Sequence, residues 1–199
     1  MKSAKIVQNF GRNLRFIPKY IYSPNNRVEL IDILQKHSNG KIRVVASKHS
    51  WSDLIETEDV LIDMSHFDYI RVREKNHETT VTVGAGCKVK KLLAELSRKG
   101  LTIPSVGLIA EQTIAGATAT GTHGSGKHSL SHYIESLQVA CFDETGQSAK
   151  IEDIVEGESL QAARCSLGCL GVVIELTLPC IPQYFVQEKS TFCKTIEEV

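Results

Sequence analysis

The segment from Gly121 to His128 has nearly the spacing of a phosphate-binding P-loop, which reads GxxxxGK followed by Ser or Thr. P-loop chemistry needs a hydroxyl on Mg²⁺ directly after the lysine, and this sequence has His128 at that position. It also needs a buried apolar strand just upstream, whereas residues 115–120 read Ala-Gly-Ala-Thr-Ala-Thr. Because both requirements fail, the sequence argues against a P-loop nucleotide hydrolase.

A longer stretch, residues 103–132, is rich in Gly, Ala, Thr, Ser and His and has little apolar periodicity. Small side chains let backbone N–H groups approach an anion closely, and hydroxyls add further donors. The alternative is a flexible glycine loop that binds nothing, but such linkers rarely contain residues like Ile114. We therefore predict a phosphate-type anion site here. The hydroxyl-bearing candidates are Thr113, Thr118, Thr120, Thr122 and Ser125.

Three histidines in the same region, His123, His128 and His132, could suggest a metal site. The i, i+4 spacing of the last two would place both on one face of a helix, as zinc ligands often are. No Cys or carboxylate stands at a supporting spacing, although Glu135 is near. The sequence favours surface or core histidines and predicts no metal.

A second polar segment, Ser47-Lys48-His49-Ser50-Trp51-Ser52-Asp53, directly follows an apolar strand over 42–46. A strand that runs into a tight polar turn places backbone N–H groups and a reactive side chain at the end of that strand. A lone histidine is more often structural than catalytic. His49 also has no partner that would make it a metal ligand or part of a triad.

Helical and strand patterns alternate around these segments and predict an α+β fold. Helices are predicted over 28–34, ended by Asn39-Gly40, over 89–96, ended by Gly100, and around 160–165. Strands are predicted over 42–46, 60–63, 137–141 and 171–178, with a turn at 143–146. A hairpin is predicted from 69–73 and 79–83.

Composition is that of an ordinary globular chain of 199 residues, with 42% hydrophobic residues and 23 basic against 23 acidic side chains. The resulting net charge of zero argues against a nucleic-acid partner. No apolar run is long enough for a membrane helix, and the first eight residues lack the apolar core of a secretory signal. The six cysteines show no CxxC spacing, so we expect buried free thiols in a reducing cytoplasm.

Several segments, taken in order, resemble the FAD-binding (PCMH-type) domain of the vanillyl-alcohol-oxidase superfamily. The likeness is to its aldonolactone oxidase branch, which includes L-gulonolactone, D-arabinono-1,4-lactone and alditol oxidases. It covers about residues 10 to 180, and its sharpest match is Ala119-Thr120-Gly121-Thr122-His123-Gly124-Ser125-Gly126. The other matching segments are 13–18, 23–24, 43–53, 83–86, 107–116 and 166–173.

The resemblance implies a fold of two α+β subdomains with FAD held between them. It implies that the turn 46–50 wraps the FAD pyrophosphate and that His49 bonds covalently to the flavin 8α-methyl group. It also implies pyrophosphate and ribityl contacts from the glycine-rich stretch and an adenine contact from Val173. The cofactor-binding positions implied are Val44, Ala46, Ser47, Lys48, His49, Ser50, Gly107, Thr113, Gly116, Ala117, Thr120, Gly121, His123, Gly171 and Val173.

The same likeness implies how the chain is divided. We expect an N-terminal extension over 1–12, an FAD-binding domain over 13–182 with subdomains of about 13–104 and 105–182, and the start of a substrate (cap) domain over 183–199. Family enzymes continue with a long cap domain that supplies catalytic residues, and no position of this sequence corresponds to them. This chain is therefore expected to be the FAD-binding portion of a longer enzyme.

The activity implied is oxidation of a sugar lactone or alditol, with hydride transfer to flavin N5 and O₂ as the final acceptor. The protein of such an enzyme positions the cofactor, which carries the chemistry. Two alternatives stay open: a non-catalytic flavin-binding module, and an NADPH-dependent flavin reductase of the cell-wall-precursor type. His49 argues against the reductase, because that type has no covalent histidine in this turn.

Overall fold

A computed structural model describes residues 5–125, 128–193 and 195–198. The described helices are α1 (Arg27–Lys36), α2 (Val89–Ser97), α3 (Ile114–Ala119) and α4 (Gly157–Arg164). The described strands are β1 (Val7–Gln8), β2 (Arg15–Phe16), β3 (Tyr20–Tyr22), β4 (Ile42–Val45), β5 (Val60–Asp63), β6 (Ile70–Lys75), β7 (Glu78–Gly84), β8 (Leu101–Thr102), β9 (Ser136–Phe142), β10 (Ala149–Ile154), β11 (Val172–Pro179) and β12 (Ile181–Pro182). The elements confirm the predicted α+β class.

A small parallel sheet has the strand order β3-β5-β4, so β4 lies at its edge. Helix α1 connects β3 to β4 and begins at Asn26, whose side chain accepts a hydrogen bond from the Glu29 N–H at 3.0 Å. Its apolar stripe buries Leu30 and Leu34. The predicted helix is confirmed, but it ends at Lys36, and Gly40 only closes the following turn onto the carbonyl of His37.

A larger antiparallel sheet has the order β10-β9-β11-β7-β6. The predicted hairpin is confirmed as β6 and β7, joined at Asn76 and His77. Both turn residues have positive φ (52° and 66°), the backbone shape that matches the twist of a two-residue hairpin. Sheet membership changes between Asp63 and Ile70, and the subdomain boundary near residue 104 stays a prediction.

Strand β11 ties the two halves of the core together. Its even-numbered side chains are buried along the whole strand, as the apolar pattern predicts. Ile174 packs in the cluster around α1 and the small sheet, whereas Leu176 packs in the cluster that contains α2 and α3. The sheets and helices are therefore held in one arrangement by a shared apolar strand.

The region 103–132 contains more regular structure than its weak periodicity suggested. Helix α3 occupies six of its residues, and a 3-10 turn follows at Leu130–Tyr133. Ile114, Ala117 and Thr118 are the buried residues of α3, at helical spacing. One short apolar stripe made of small residues is too weak a pattern to stand out in the sequence.

Among the described residues, Cys87, Cys141, Cys165, Cys169 and Cys180 form no disulfide. The expectation that they are buried holds for Cys87 but is wrong for Cys165 and Cys169, which are exposed in the loop after α4. Leu167 and Gly168 of that loop have positive φ, and Leu167 and Leu170 are exposed there as well. Within the described residues, no helix is long and apolar enough to cross a membrane.

A polar cluster on β11 links three parts of the chain. Glu175 Oε2 accepts hydrogen bonds from Arg27 (2.8 Å), Arg71 (2.8 Å) and the Tyr69 hydroxyl (2.5 Å). Burial, and then the hydrogen bond to Glu175, raise the pKa of Tyr69 to about 12. The neutral, donating phenol is therefore the form that the fold stabilises.

We expect Tyr69→Phe to lower the free energy of unfolding at pH 7 by about 1–2 kcal/mol, because it removes a hydrogen bond to a charged acceptor. The contribution is present below the ordinary tyrosine pKa of 10 and is lost as the pH rises toward about 12. Urea unfolding of both proteins should therefore differ at pH 7 and converge near pH 12. Tyr20→Phe is the control, and a constant difference across this range would contradict the assignment.

Candidate flavin site

The turn after β4 leaves several backbone donors unused. Within the described part of the chain, the N–H groups of Ser47, Lys48, His49 and Ser50 donate to no protein acceptor. Lys48 has a φ of 57°, so the chain reverses direction there. Consecutive free N–H groups around a left-handed residue form a concave anion site, a backbone nest. The turn therefore has the donors that the sequence predicted.

Lys48 also contributes a charge to this turn. Its ammonium lies 2.9 Å from Asp63 Oδ2, at the end of β5. Burial acts to raise the pKa of Asp63, but the hydrogen bond from Ser65 and the Lys48 ammonium outweigh it, so the pKa is lowered. Asp63 is thus ionised at neutral pH and holds Lys48 against the sheet.

Ser47 connects the turn to the glycine-rich stretch. Its Oγ accepts a hydrogen bond from the backbone N–H of Thr113 at 3.2 Å, directly before α3. Gly116 follows one helical turn later and is exposed, and a Cβ built there would lie 3.2 Å from Thr113 Oγ1. These two predicted segments, 66 residues apart in sequence, therefore share one site.

A cleft of about 280 Å³ opens beside this junction. Its walls combine the turn and the start of α3 with a basic rim. The lining residues are Ala46, Ser47, Ser65, Asp68, Gly86, Lys88, Lys90, Lys91 and Thr113. On the rim, Glu111 pairs with Lys88 and Lys90, and these hydrogen bonds lower the pKa of Glu111 to about 2. The cleft thus has the Ser47 end of the turn at its wall and ion-paired lysines at its edge.

The remaining predicted glycine contacts form a second group. A Cβ on Gly107 would lie 2.7 Å from Thr122 Cγ2, and a Cβ on Gly124 would lie 2.6 Å from the carbonyl oxygen of Val106. The backbones of 106–107 and 122–124 can therefore run this close only without side chains at these positions. His123 is exposed beside them.

Helix α3 joins this group to the loop before β11. At its C-terminal end, the carbonyl of Ala119 accepts hydrogen bonds from the Leu167 N–H (3.3 Å) and from Cys165 Sγ (3.4 Å). Gly121 has a φ of 66°, a conformation that favours glycine. Gly171 packs so tightly that a Cβ would lie 2.4 Å from Ala140 O, and Val173 is half-buried on β11.

Other predicted positions lie elsewhere. Val44 is on β4, and Ala117 is fully buried inside α3, so its side chain is a core contact rather than an exposed one. The rings of His128 and His132 stack at 4.0 Å. Among the described residues, no group of three His, Cys, Asp or Glu side chains is arranged to hold a metal ion.

The N-terminal residues were missed as part of the site. The sequence predicted an extension over 1–12, yet β1 pairs with β2 and the loop between them contacts the turn 46–51. The Phe10 ring stacks on the His49 ring with centroids 4.3 Å apart. No local pattern marks this contact, because its partners lie about forty residues apart.

The arrangement fits a long anionic cofactor. It offers free amides on one turn, an exposed glycine facing a hydroxyl, and closely approaching backbones in the second group. Two buried side-chain atoms beside these segments, Ser105 Oγ and Gln112 Oε1, have no partner within the described part. Such atoms are costly unless a ligand or water satisfies them.

Comparison with known proteins identifies the class. The FAD binding domain family matches residues 18–150, and the chain belongs to that family. The cofactor of this chain is therefore FAD. The chain is 44% identical over 192 residues to a long-chain alcohol oxidase from an uncultured marine euryarchaeote, covering 96% of this chain and 40% of the relative.

Two further relatives have names that refer to a lactone. The chain is 31% identical over 197 residues to L-gulonolactone oxidase from Bos taurus, covering 96% of this chain and 44% of the relative. It is 33% identical over 190 residues to L-gulono-1,4-lactone dehydrogenase from Mycobacterium tuberculosis, covering 92% and 43%. The chain thus spans less than half the length of these curated relatives and resembles the aldonolactone oxidase branch, as predicted.

Cholesterol oxidase from B. sterolicum has the same fold, with a TM-score of 0.79 and 20% identity over 90% of this chain and 37% of that one. The fold class of PCMH-type FAD proteins is therefore confirmed. The individual FAD contacts, and the covalent bond at His49, stay predictions.

Proposed function

We propose that this chain is the cofactor domain of an FAD-dependent oxidoreductase that oxidises a hydroxyl-bearing carbon of a sugar lactone or alditol. The observation that carries the proposal is the junction of the open-amide turn 46–50 with Thr113 and Gly116, in a chain that belongs to the FAD binding domain family. When bound, FAD supplies the redox chemistry, taking a hydride at N5 and passing electrons to O₂.

The residues of this chain have binding and orienting roles in that reaction. The free N–H groups of Ser47 to Ser50 would hold the diphosphate, and Lys48, kept in place by Asp63, would add a nearby positive charge. Thr113 and Gly116 would line the other side of that anion. The close approach of Gly107 to the Thr122 side-chain methyl would restrict access to the flavin ring.

The substrate class can be tested directly on the complete enzyme. We expect L-gulono-1,4-lactone or an alditol to be oxidised with consumption of O₂. The most similar of the relatives described above is named a long-chain alcohol oxidase, which makes a long-chain alcohol the second candidate. Parallel assays with a lactone, an alditol and a long-chain alcohol decide between them. Flavin reduction by the alcohol alone would overturn the sugar assignment.

We expect Gly107→Ala to slow reoxidation by O₂ while leaving an artificial electron acceptor nearly as fast. The added methyl would lie 2.7 Å from Thr122 Cγ2. It would therefore narrow the path by which O₂ reaches the flavin, which tight packing already restricts. A second substitution in the same protein, Thr122→Ser, removes the threonine methyl group and should restore much of the reoxidation rate. Stopped-flow reoxidation of the complete enzyme measures both.

The rate at which the reduced wild-type enzyme reacts with O₂ decides whether the protein is an oxidase. An oxidase must react with O₂ faster than free flavin does, whereas one of the relatives is named a dehydrogenase. A wild-type rate no higher than that of free flavin would show that the acceptor is not O₂.

We also propose a cytoplasmic location and a domain boundary. The six cysteines without CxxC spacing are typical of a reducing compartment, and fractionation of cells that express the complete protein tests this location. The cofactor domain is proposed to end at residue 182, with 183–199 leading into the substrate domain. Limited proteolysis of the complete enzyme should first cut near this boundary.

A further inference from the structure

The loop between β1 and β2, residues 9–13, wraps one side of the turn 46–51, and we call it the clasp. Phe10 donates its N–H to the carbonyl of Lys48 at 2.8 Å. Asn9 Nδ2 donates to the carbonyl of Ser50 at 2.8 Å, a link across 41 residues. The clasp therefore donates hydrogen bonds to two carbonyls of the turn, those of Lys48 and Ser50.

A third carbonyl is bound in the same way, because Asn13 Nδ2 donates to Trp51 O at 3.0 Å. The clasp also fits the Trp51 ring closely. A Cβ on Gly11 would lie 2.5 Å from Trp51 Cζ3, so only glycine allows this approach. Backbone and side-chain contacts thus hold the turn from Lys48 to Trp51.

This pattern separates the two kinds of polar group in the turn. Carbonyl oxygens carry partial negative charge and would repel a phosphate if they faced it. Here the clasp binds the carbonyls of Lys48, Ser50 and Trp51, while the N–H groups of Ser47 to Ser50 have no protein acceptor within the described residues. Turns in which the N–H groups converge on one side are anion sites.

Asn9 is the organising residue of the clasp. It is only 3% exposed, and both ends of its carboxamide are used. Nδ2 also donates to Asn13 Oδ1 at 2.7 Å, and Oδ1 accepts from the Leu14 N–H at 3.1 Å. A buried amide that joins the clasp to itself and to the turn must be satisfied at every atom, so it selects one geometry.

We infer that Asn9 is a positioning residue for FAD: through the clasp it holds the turn 46–51 in the conformation whose N–H groups bind the diphosphate. Asn9 acts through the backbone of the turn and is not a catalytic residue. The inference rests on FAD as the cofactor and is independent of the proposed substrate and of a covalent bond at His49.

Dissociation constants of FAD and of ADP test this, because ADP has the diphosphate but no flavin. In Asn9→Leu, a neutral variant of similar size, both affinities should fall at least tenfold, about 1.4 kcal/mol. Asn13→Ala removes two hydrogen bonds, the one to Trp51 O and the one from Asn9 Nδ2, and should weaken the binding of both ligands by about threefold. Binding is measured well below the melting temperature of each apoprotein.

Thr57→Val is the matched control, because Thr57 is equally buried and its hydroxyl donates to the carbonyl of Lys41 at the other end of β4. It should lower the melting temperature while changing both affinities less than about twofold. Equal affinity losses in Thr57→Val and Asn9→Leu would show a merely structural role and overturn the inference. A loss for FAD but not for ADP would overturn it too. If Asn9→Leu does not fold, Asn13→Ala decides the question. Affinities of Asn13→Ala for FAD and ADP equal to those of the wild type would overturn the inference.

Discussion

Replacing His49 by alanine is expected to remove all covalently attached flavin from the complete enzyme. His49 lies in the turn that follows the edge strand β4, and its ring stacks on Phe10, which fixes the plane of the imidazole. A fixed nucleophile next to the bound flavin is what a covalent bond would need. Fluorescence of the protein band on a denaturing gel measures the attached flavin directly.

His66→Ala is the control for this experiment, because His66 is an exposed histidine outside the turn. It should keep the full fluorescence of the band. Non-covalent FAD in the His49 variant is compatible with the prediction, since the free amides of the turn remain. A band that still fluoresces after His49→Ala would show that flavin is attached elsewhere.

Valine at Gly116 is expected to weaken FAD binding by at least a hundredfold, about 2.7 kcal/mol, without unfolding the protein. Gly116 is on the same face of α3 as Thr113, which is bonded to Ser47 of the turn. A Cβ there already approaches Thr113 Oγ1 to 3.2 Å, so the valine methyl groups would occupy the space beside the turn. Flavin titration of the apoprotein measures the loss.

The fold should survive this change, because valine costs less than glycine in a helix and position 116 is exposed. Ala162→Val, at an exposed position of α4, controls for a β-branched residue in a helix and should bind FAD normally. Gly121→Val should also lose FAD, with a larger fall in melting temperature because of its positive φ. Unchanged FAD affinity in Gly116→Val would mean that α3 does not contact the cofactor.

Most elements could be predicted because their signals are local. Strand β11 is a mostly apolar, β-branched run, α2 has a clear apolar stripe, and the β6–β7 hairpin has a polar turn between two strands that alternate in polarity. Helix α3 lacked such a signal because glycine, alanine and threonine fill it. Sheet membership could not be predicted either, because antiparallel pairing of β7 with β11 joins residues about ninety positions apart.

Two segments of the candidate site could be recognised in the sequence because their signals are also local. The turn 46–50 and the glycine-rich stretch each have distinctive composition, and the structure joins them through Ser47 and Thr113. The clasp has no such composition, since Asn9 and Phe10 are ordinary residues whose role depends on reaching Ser50 and His49 in space. Distances of this kind are set by the packing of β1 and β2 against the rest of the fold.

The absorption spectrum of the purified chain, recorded before and after denaturation, tests most directly that this fold binds FAD. An FAD domain should show flavin absorbance in equimolar amount, either as purified or after incubation with FAD and gel filtration. Acid precipitation then separates released from attached flavin, with His49→Ala and Gly116→Val as comparisons. A folded wild-type chain that stays colourless after incubation with excess FAD would contradict the assignment of the site.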